Sequence, residues 1–352
     1  MIDIHAVIRF LSEYTGPEIK IMEVCGTHTA AIFTGGIRSF LSPHIHLVSG
    51  PGCPVCVTPS SYIDRAIHLA MQDHTTVLSF GDMIRVPGTH LSLGEAKAEG
   101  ASVELLYSPM DIVEKAQKHP EITFIMAAVG FETTIPAYTL LLDEMLKKRI
   151  VNIKLLPALK TILPAMEWIC IHSHSIDAFL CPGHVSAIIG STPYILLAEQ
   201  YHKPCAIAGF STELILLAIY DLLKQIKNGK AEVHNLYPSV VTAQGNQKAL
   251  QKMQHYLLPS SGVWRGLGKL EHSCLVLRDI YQEYDASMPE NQEEYDAELS
   301  TKDCRCGDVI TGTITPDVCP AFGKNCTPSH PLGACMVSAE GACSIYIRYH
   351  IL

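Results

Sequence analysis

The sequence predicts an α/β protein made of two parallel-sheet lobes that face a cleft, followed by a C-terminal cysteine-rich domain. Short apolar, β-branched runs alternate with helical patterns through residues 19–230, and a glycine follows nearly every predicted strand. This alternation is typical of β-loop-α units with parallel strands and right-handed crossovers. Beyond residue 231 the alternation ends, and six of the 13 cysteines fall between residues 304 and 343.

Lobe I is predicted over residues 19–120 and lobe II over residues 121–230. The strands of lobe I are expected at residues 19–24, 44–48, 75–80 and 102–107. The strands of lobe II are expected at residues 122–129, 151–155, 178–180 and 205–208. A serine-threonine-glutamate capping pattern follows the last strand and begins a helix that extends to residue 227.

The remaining chain, residues 231–352, is predicted to form the third domain, and an amphipathic helix within residues 1–18 is assigned to it. This region contains a helical pattern at residues 247–257 and a glycine-rich stretch around Trp264. Residues 283–303 are acidic and are interpreted as a linker or a solvated surface stretch.

Composition narrows the classes of function. The chain has 352 residues, of which 48% are apolar and 17% charged, so it is long enough for two or three domains with a real core. A net charge of -9 without a basic run argues against nucleic acid as a partner. No apolar stretch reaches the length of a membrane span, and no signal peptide is recognised at the N-terminus. We therefore expect a cytoplasmic protein, in which cysteines are more often metal ligands or redox thiols than structural disulfides.

Cys25 is the first candidate for a functional thiol. It follows a predicted strand and precedes a helix start, where free backbone N–H groups lower the pKa of a thiol. His28 lies within one turn and is a candidate for a nearby positive charge or a ligand. The alternative for Cys25 is a small buried residue at a strand end.

Cys53 and Cys56 are the second candidate, as a Cys-Pro-Val-Cys pair. Glycine or proline at positions 50, 51, 52 and 54 predicts an irregular, constrained loop. The spacing permits a reversible disulfide, while metal ligation and a chance pair are the alternatives. Because the strands that precede Cys25 and this pair are expected to be neighbours, we expect the three thiols to converge.

Three polar residues that follow predicted strands are candidates for an acid, a base or a supporting partner. They are Glu132, Asp82 and His184. The alternative for each is a helix cap or a solvated loop residue.

The cysteine-rich tail contains Cys304, Cys306, Cys319, Cys326, Cys335 and Cys343. A loop-rich segment of this kind cannot bury enough surface to order itself, and metal ligation is the usual remedy. No pair of CxxC motifs is present, which argues against a zinc ribbon. Spaced cysteines in irregular backbone favour an iron–sulfur cluster, with zinc or simply reduced buried thiols as alternatives.

Four motifs and the tail together resemble the HypD family of [NiFe]-hydrogenase maturation factors. The motifs are CGTHT at residues 25–29, GPGCPVC at residues 50–56, GFETT at residues 130–134 and WRGLG at residues 264–268. The resemblance covers essentially the whole chain. In that family a C-x14-C-x6-C-x16-C pattern carries a [4Fe-4S] cluster, which here implies Cys304, Cys319, Cys326 and Cys343 as ligands. Cys306 and Cys335 are then additional thiols.

The resemblance also implies a function. The family assembles the iron centre of the hydrogenase, an iron that carries two cyanides and one carbon monoxide. It acts with a small HypC-type chaperone, receives cyanide from a HypE-type donor and serves the hydrogenase large subunit through the chaperone. Cys25 is implied as the ligand of the transient iron, and Cys53 and Cys56 as a redox pair between cleft and cluster. The expected protein is an assembly scaffold with redox activity rather than a conventional turnover enzyme.

Two hypotheses of other classes remain open at this stage. One is a self-contained iron–sulfur thiol/disulfide oxidoreductase, which would not need Cys25 to bind iron. The other is a zinc-stabilised binding module without a redox role. Metal analysis distinguishes the zinc-stabilised module from the two iron–sulfur hypotheses, because zinc without sulfide would support the module.

Overall fold

Two β-sheets form the framework of the computed structural model, which describes residues 3–287 and 303–349. The first sheet has five parallel strands in the order β2-β1-β7-β8-β9. Its strands are β1 (Ile19–Glu23), β2 (Ile45–Ser49), β7 (Ala178–Cys181), β8 (Cys205–Ile207) and β9 (Val233–Asn235).

The second sheet has six strands in the order β10-β11-β6-β5-β3-β4. Strands β3 to β6 are parallel, and β10 and β11 form an antiparallel hairpin that joins the sheet beside β6. The strands are β3 (Thr75–Ser79), β4 (Val103–Leu105), β5 (Thr123–Gly130), β6 (Ile153–Lys160), β10 (Leu257–Trp264) and β11 (Gly268–Leu277). Strand β5 is buried over nearly its whole length, as expected of a parallel strand with both faces covered.

Helices cover the sheets and connect their strands. In the first half of the chain they are α1 (Ile4–Ser12), α2 (Gly26–Thr34), α3 (Pro54–Val57), α4 (Ser60–Ala70), α5 (Gly81–Ile84), α6 (Leu93–Ala98), α7 (Asp111–Lys118) and α8 (Ile135–Lys148). The second half contributes α9 (Ile162–His172), α10 (Gly183–Ile189), α11 (Ile195–Tyr201), α12 (Thr212–Lys227), α13 (Gln247–Tyr256), α14 (Cys306–Ile310), α15 (Ala334–Val337) and α16 (Ala342–Tyr349). Short 3₁₀ turns lie at Ile37–Phe40, Thr192–Tyr194, Asp279–Tyr284 and Pro316–Val318.

The predicted β-loop-α alternation is confirmed, but the chain divides between the sheets differently from the predicted ranges. Of the four strands expected in residues 19–120, β1 and β2 lie in the first sheet, whereas β3 and β4 lie in the second. The chain leaves the first sheet after β2 and returns to it at β7. The local pattern of apolar runs and helices predicts parallel strands, but it does not specify which strands pair. Tertiary packing determines the pairs.

The predicted third domain also needs correction in its first part. Strand β9 completes the first sheet, and the β10–β11 hairpin extends the second, so the first part of this region contributes strands to the two sheets. The N-terminal helix α1 packs against α12 beside the first sheet, with its buried Val7 and Leu11 in that core. The apolar face of α1 therefore packs in the core of the first sheet and not against the cysteine-rich tail. Much of the acidic stretch, residues 288–302, lies outside the described residues.

One apolar cluster joins both sheets to the tail. It contains Met22 and Val48 from the first sheet, Trp264 from the hairpin, and Met336 and several cysteines from the tail. The indole Nε1–H of Trp264 donates a hydrogen bond to Ser273 Oγ at 2.9 Å, and the ring stacks on Phe131 at 5.7 Å. Trp264 is thus the large side chain through which the hairpin contributes to the shared core.

Replacement of Trp264 by alanine tests this packing. Trp264 is 0% exposed, so Trp264→Ala should lower the free energy of unfolding by about 3–5 kcal/mol through lost burial and an unfilled cavity. Urea unfolding followed by circular dichroism measures the change. The matched control is Trp168→Ala, because Trp168 is only partly buried and stacks on His172. Equal losses in the two variants would contradict the assigned role of Trp264.

Candidate functional site

The site is built where β1 and β2 end side by side. The two strands pair in parallel from Ile19 with Ile45 to Glu23 with Ser49, so both chains leave the sheet at the same edge. Cys25 follows β1 and is the N-cap residue of α2, with an extended backbone. The prediction that Cys25 and the Cys53/Cys56 pair end neighbouring strands is confirmed.

The backbone of the dithiol loop lies directly against Cys25. A Cβ atom added to Gly52 would lie 2.5 Å from the backbone nitrogen of Cys25, a distance that real side chains do not reach. Only glycine at position 52 permits this approach. The dithiol loop therefore depends on Gly52 for its close approach to the backbone of Cys25.

The dithiol loop is more regular than predicted. Cys53 is the N-cap of the one-turn helix α3, in which Pro54 takes the first position. Proline at that position needs no N–H donor and has the φ angle of a helix, so it favours the turn instead of preventing it. The N–H of Cys56 donates to Cys53 Sγ at 3.2 Å, and the two thiols are neighbours.

A third segment, from the C-terminal tail, completes the site. A Cβ atom on Gly26 would lie 2.3 Å from the carbonyl oxygen of Glu340, so the tail backbone packs directly on the start of α2. Ser338 Oγ lies 3.3 Å from Cys53 Sγ and also 3.3 Å from Asp82 Oδ2. Ser338 and Glu340 were not among the predicted residues, since nothing local in the sequence relates them to positions more than 250 residues earlier.

The predicted lowering of the Cys25 pKa is wrong. Burial raises the pKa of the Cys25 thiol to about 11, and the Glu340 carboxylate also favours the protonated form. The backbone N–H groups of His28 and Thr27 act in the opposite direction but do not outweigh the burial. Cys25 is 8% exposed, so the thiol is neither ionised near neutral pH nor open to a cleft in this state.

His28 does not supply the positive charge considered for it. It is fully buried, and its Nε2 atom lies 3.2 Å from the carbonyl oxygens of both Ala208 and Gly209. Burial lowers the pKa of His28 to about 4, which keeps the ring neutral. Nε2 therefore carries the proton and donates it to the carbonyls, while Nδ1 is buried without a hydrogen-bond partner.

His184 lies near His28, with an aromatic ring between them. The Phe210 ring centroid is 4.7 Å from that of His28 and 4.1 Å from that of His184. Burial lowers the pKa of His184 as well. The two histidines and Phe210 thus form a small aromatic group at the carboxyl end of the first sheet.

Glu132 lies at the end of β5, in the second sheet. One carboxylate oxygen accepts a hydrogen bond from the N–H of Ile162 at 2.9 Å, and the other is buried without a partner. Burial raises the pKa of Glu132 to about 7. Its hydrogen bond ties β5 to the start of α9 and gives the chain a carboxyl group that can exchange a proton near neutral pH.

All six tail cysteines line one small cavity. They are Cys304, Cys306, Cys319, Cys326, Cys335 and Cys343. Within residues 3–287 and 303–349, no group of three or more His, Cys, Asp and Glu side chains is arranged so that it could hold a metal ion. A cubane cluster is larger than an ion and takes four thiolates from around it, so a cavity walled by six thiols has the donor set that a cluster needs.

The dithiol loop reaches this cavity through a chain of thiols. Cys335 contacts Cys56 on one side and Cys306 and Cys343 on the other. Burial raises the pKa of Cys56 well above its usual range, and the neighbouring thiols add to that effect. Contacts between sulfurs therefore connect the Cys53/Cys56 pair with the cysteines of the tail cavity.

Other cysteines lie away from this group. Cys170, Cys181 and Cys205 are buried in the apolar core around α9, β7 and β8. Cys274 is partly buried in the hairpin, 3.8 Å from Lys160 Nζ. None of the helices in the described part of the chain is long and apolar enough to cross a membrane.

Comparison with known proteins gives a consistent result. Residues 3–350 match the profile of HypD, described as "Hydrogenase formation hypA family". The hydrogenase maturation factor HypD of Rhodobacter capsulatus is 38% identical over 341 residues, covering 94% of this chain and 89% of the relative. A putative hydrogenase expression/formation protein of Methanocaldococcus jannaschii is 40% identical over 333 residues, covering 94% and 92%. The hydrogenase maturation factor HypD of Escherichia coli is 36% identical over 376 residues, covering 97% and 98%. The chain therefore belongs to the HypD family of hydrogenase maturation factors.

Proposed function

We propose that this protein is the scaffold on which the iron centre of a [NiFe] hydrogenase receives its two cyanides and its carbon monoxide. The observation that carries the proposal is the meeting of Cys25, the Cys53/Cys56 pair and the C-terminal segment at one sheet edge, beside a cavity lined with six cysteines. Family membership supports the same reading.

Cys25 is proposed to hold the iron that is being assembled. A thiolate is a soft ligand that suits iron carrying strong-field ligands. Because burial raises the pKa of free Cys25 to about 11, the thiol remains protonated until a metal arrives. Binding of iron then displaces that proton, since a ligating cysteine is deprotonated. The buried position also excludes water from the bound iron.

Cys53 and Cys56 are proposed to be the redox pair of the site. Reduction of a disulfide between them takes up two electrons and two protons and yields two thiols. The hydrogen bond from the Cys56 N–H to Cys53 Sγ and the contact between the two thiols support this role. The neighbouring Cys335 continues the row of sulfurs towards the tail.

The tail is proposed to carry a [4Fe-4S] cluster held by Cys304, Cys319, Cys326 and Cys343. When bound, such a cluster supplies electron transfer at a buried position. The cavity offers six thiols, and the family spacing selects these four. Cys304 and Cys319 are partly exposed, whereas Cys326 and Cys343 are buried.

Glu132 and His28, the two other predicted site residues, have different roles in this scheme. Glu132 has a pKa near 7 and is proposed to exchange protons during assembly. His28 is neutral and is proposed to fix the loop after β8 through its hydrogen bonds to Ala208 and Gly209. A HypC-type chaperone, a HypE-type cyanide donor and, through the chaperone, the hydrogenase large subunit are the proposed partners in the cytoplasm.

The contact between the dithiol pair and Cys335 also favours a second candidate function. A self-contained iron–sulfur thiol/disulfide oxidoreductase would use the same row of sulfurs, but it would not need Cys25 as an iron ligand. It would also turn over without a protein partner. The Cys25 experiment below distinguishes the two functions.

The first prediction concerns the tail. The protein purified without oxygen should contain about four irons and four sulfides per chain. Cys319→Ala should abolish the cluster absorption and loosen the tail, because metal ligation orders a segment with little core of its own. Cys335→Ala, in the same cavity, is the matched control and should retain the iron. Equal iron loss in both variants would show that the four ligands are assigned wrongly.

The second prediction concerns the dithiol pair. Cys53 and Cys56 should form a disulfide in the oxidised protein and two thiols in the reduced protein. Differential alkylation followed by mass mapping identifies the two states. Cys170 and Cys181 serve as internal controls, since both lie in the apolar core. If Cys53 and Cys56 remain alkylatable under all oxidising conditions, the redox role is excluded.

The third prediction concerns Cys25. Cys25→Ser replaces a soft ligand with a hard, poorly ionised one, so the chaperone complex should lose the infrared bands of iron-bound cyanide and carbonyl. The cluster absorption and the fold should persist, because the exchange of sulfur for oxygen creates almost no cavity. Bands at wild-type intensity in this variant would remove Cys25 from the proposal and favour the oxidoreductase.

A further inference from the structure

Ser338 lies at the centre of a hydrogen-bond chain that the proposed function does not use. It is 2% exposed and follows helix α15 in the tail. Its Oγ atom lies 3.3 Å from Cys53 Sγ and 3.3 Å from Asp82 Oδ2, and the N–H of Glu340 donates to it at 3.2 Å. A carboxylate only accepts, so the single hydroxyl proton of Ser338 points to Asp82. The lone pairs of Ser338 then face the Cys53 S–H and the Glu340 N–H.

Asp82 is held in place independently of Ser338. The N–H of Ala339 donates to the same Oδ2 atom at 2.9 Å. From the next residues of the Asp82 segment, the Arg85 guanidinium donates to the carbonyl oxygen of Val337 at 3.4 Å. The segment around Asp82 and the tail around Ser338 are therefore attached to each other at two points.

The two cysteines of the pair differ in the hydrogen-bond partners of their sulfur atoms. Cys53 Sγ accepts a hydrogen bond from the N–H of Cys56, and the Cys53 S–H donates to the Ser338 oxygen. The Cys56 thiol has other thiols, Cys53 and Cys335, as its described neighbours. Only Cys53, of these two, has an oxygen path from its sulfur to a carboxylate.

We propose that Ser338 and Asp82 are positioning residues that orient Cys53 and receive its proton, so that Cys53 is the attacking sulfur of the pair. The inference rests on the proposed redox role of the Cys53/Cys56 pair. As the Cys53 proton moves to Ser338 Oγ, the Ser338 proton moves to Asp82. The Cys53 thiolate is then free to attack a disulfide.

Oxidised dithiothreitol, a small cyclic disulfide, is the probe for this step. Cys53 attacks one of its sulfurs, its S–S bond breaks, and a mixed disulfide forms. Cys56 then attacks Cys53, the Cys53–Cys56 disulfide forms, and reduced dithiothreitol leaves. The two protons lost by the cysteines end on the two sulfurs of the reduced reagent, and the two electrons pass to it from the cysteines.

The ionisable groups around this path are few in the described structure. Glu340 faces Asp82 from the tail. Burial raises the pKa of Glu340, and the nearby Asp82 adds to this effect, whereas the hydrogen bond from Thr27 acts in the opposite direction. Arg85 lies on the Asp82 side but directs its guanidinium to Val337. Cys56 and, beyond it, Cys335 face Cys53 from the loop and the tail.

The experiment measures how fast the reduced, cluster-containing protein forms the Cys53–Cys56 disulfide with oxidised dithiothreitol between pH 6 and pH 9. Samples are quenched with acid and mapped by mass spectrometry. Asp82→Asn retains an oxygen that accepts from Ala339 and Ser338 but cannot take a proton at these pH values. Ser338→Ala removes the path, and Ser338→Thr keeps the hydroxyl. Asp64→Asn is the control, because Asp64 likewise accepts one backbone N–H and one hydroxyl, both from Thr89.

In the wild-type protein the proton stays within the Cys53–Asp82 pair, so the rate should change less than about threefold between pH 6 and pH 8. In the Asp82→Asn and Ser338→Ala variants, the Cys53 proton must instead be transferred to solvent. Their rates should fall about tenfold or more at pH 7 and rise about tenfold per pH unit, because the thiolate is the attacking form. Ser338→Thr should restore most of the wild-type rate, and Asp64→Asn should behave as wild type.

Each other result has a definite reading. If Asp82→Asn matches the wild type in rate and in pH slope, Asp82 does not receive the proton and the inference is overturned. The same holds if Ser338→Thr is as slow as Ser338→Ala although its circular dichroism spectrum is native. If the wild-type protein itself forms no Cys53–Cys56 disulfide, the redox role and this inference fail together. A disulfide that forms equally fast in all variants removes the inference alone.

Discussion

The structure of the site depends on two places where backbones touch. At Gly52 the dithiol loop lies against the backbone of Cys25, and at Gly26 the start of α2 lies against the carbonyl of Glu340. No side chain fits at either position, so both glycines are required by close approach and not by an unusual φ angle. Three segments that are distant in the sequence are thereby held within contact of one another. Every proposed role of Cys25, Cys53 and Ser338 requires that arrangement.

Burial determines the protonation of this site. It raises the pKa of Cys25 and of Glu132 and lowers that of His28, because each charged form would lose its hydration. Without metal, the Cys25 thiol and the His28 ring are consequently neutral near pH 7. A metal that binds Cys25 must therefore displace a proton, and the buried surroundings then strengthen its electrostatic interaction with the thiolate. Proton paths such as the one from Cys53 to Asp82 become important for the same reason.

The tail is part of the framework as well as a carrier of thiols. Its Met336 and Cys343 belong to the apolar cluster that also contains Met22 and Trp264. Its Ser338 and Glu340 contact the dithiol loop and helix α2. Any change that loosens the tail should therefore be felt at Cys25, which is why the Cys319→Ala and Cys25→Ser variants have to be compared by both cluster absorption and fold.

The sequence by itself determined the local character of the chain. The alternation of apolar runs and helical patterns was enough for the α/β class, and strand ends followed by Cys25 and by the Cys53/Cys56 pair were enough to place these thiols at one sheet edge. These features are local, since they depend on periodicity and on residues such as glycine and proline that restrict a few positions. The motifs were long enough for the family to be recognised.

Tertiary structure decided which strands share a sheet, because β-branched runs do not encode their partners. It also placed the hairpin around Trp264 and helix α1 against the sheets, where both bury their apolar faces. From the sequence alone, both segments are assigned to the third domain. Burial reversed the lowering of the Cys25 pKa that a helix start predicts, and it removed the positive charge considered for His28, because burial depends on everything packed around a group. Ser338 joined Cys53 and Asp82 only in the folded chain, since their proximity arises from packing across 256 residues of sequence.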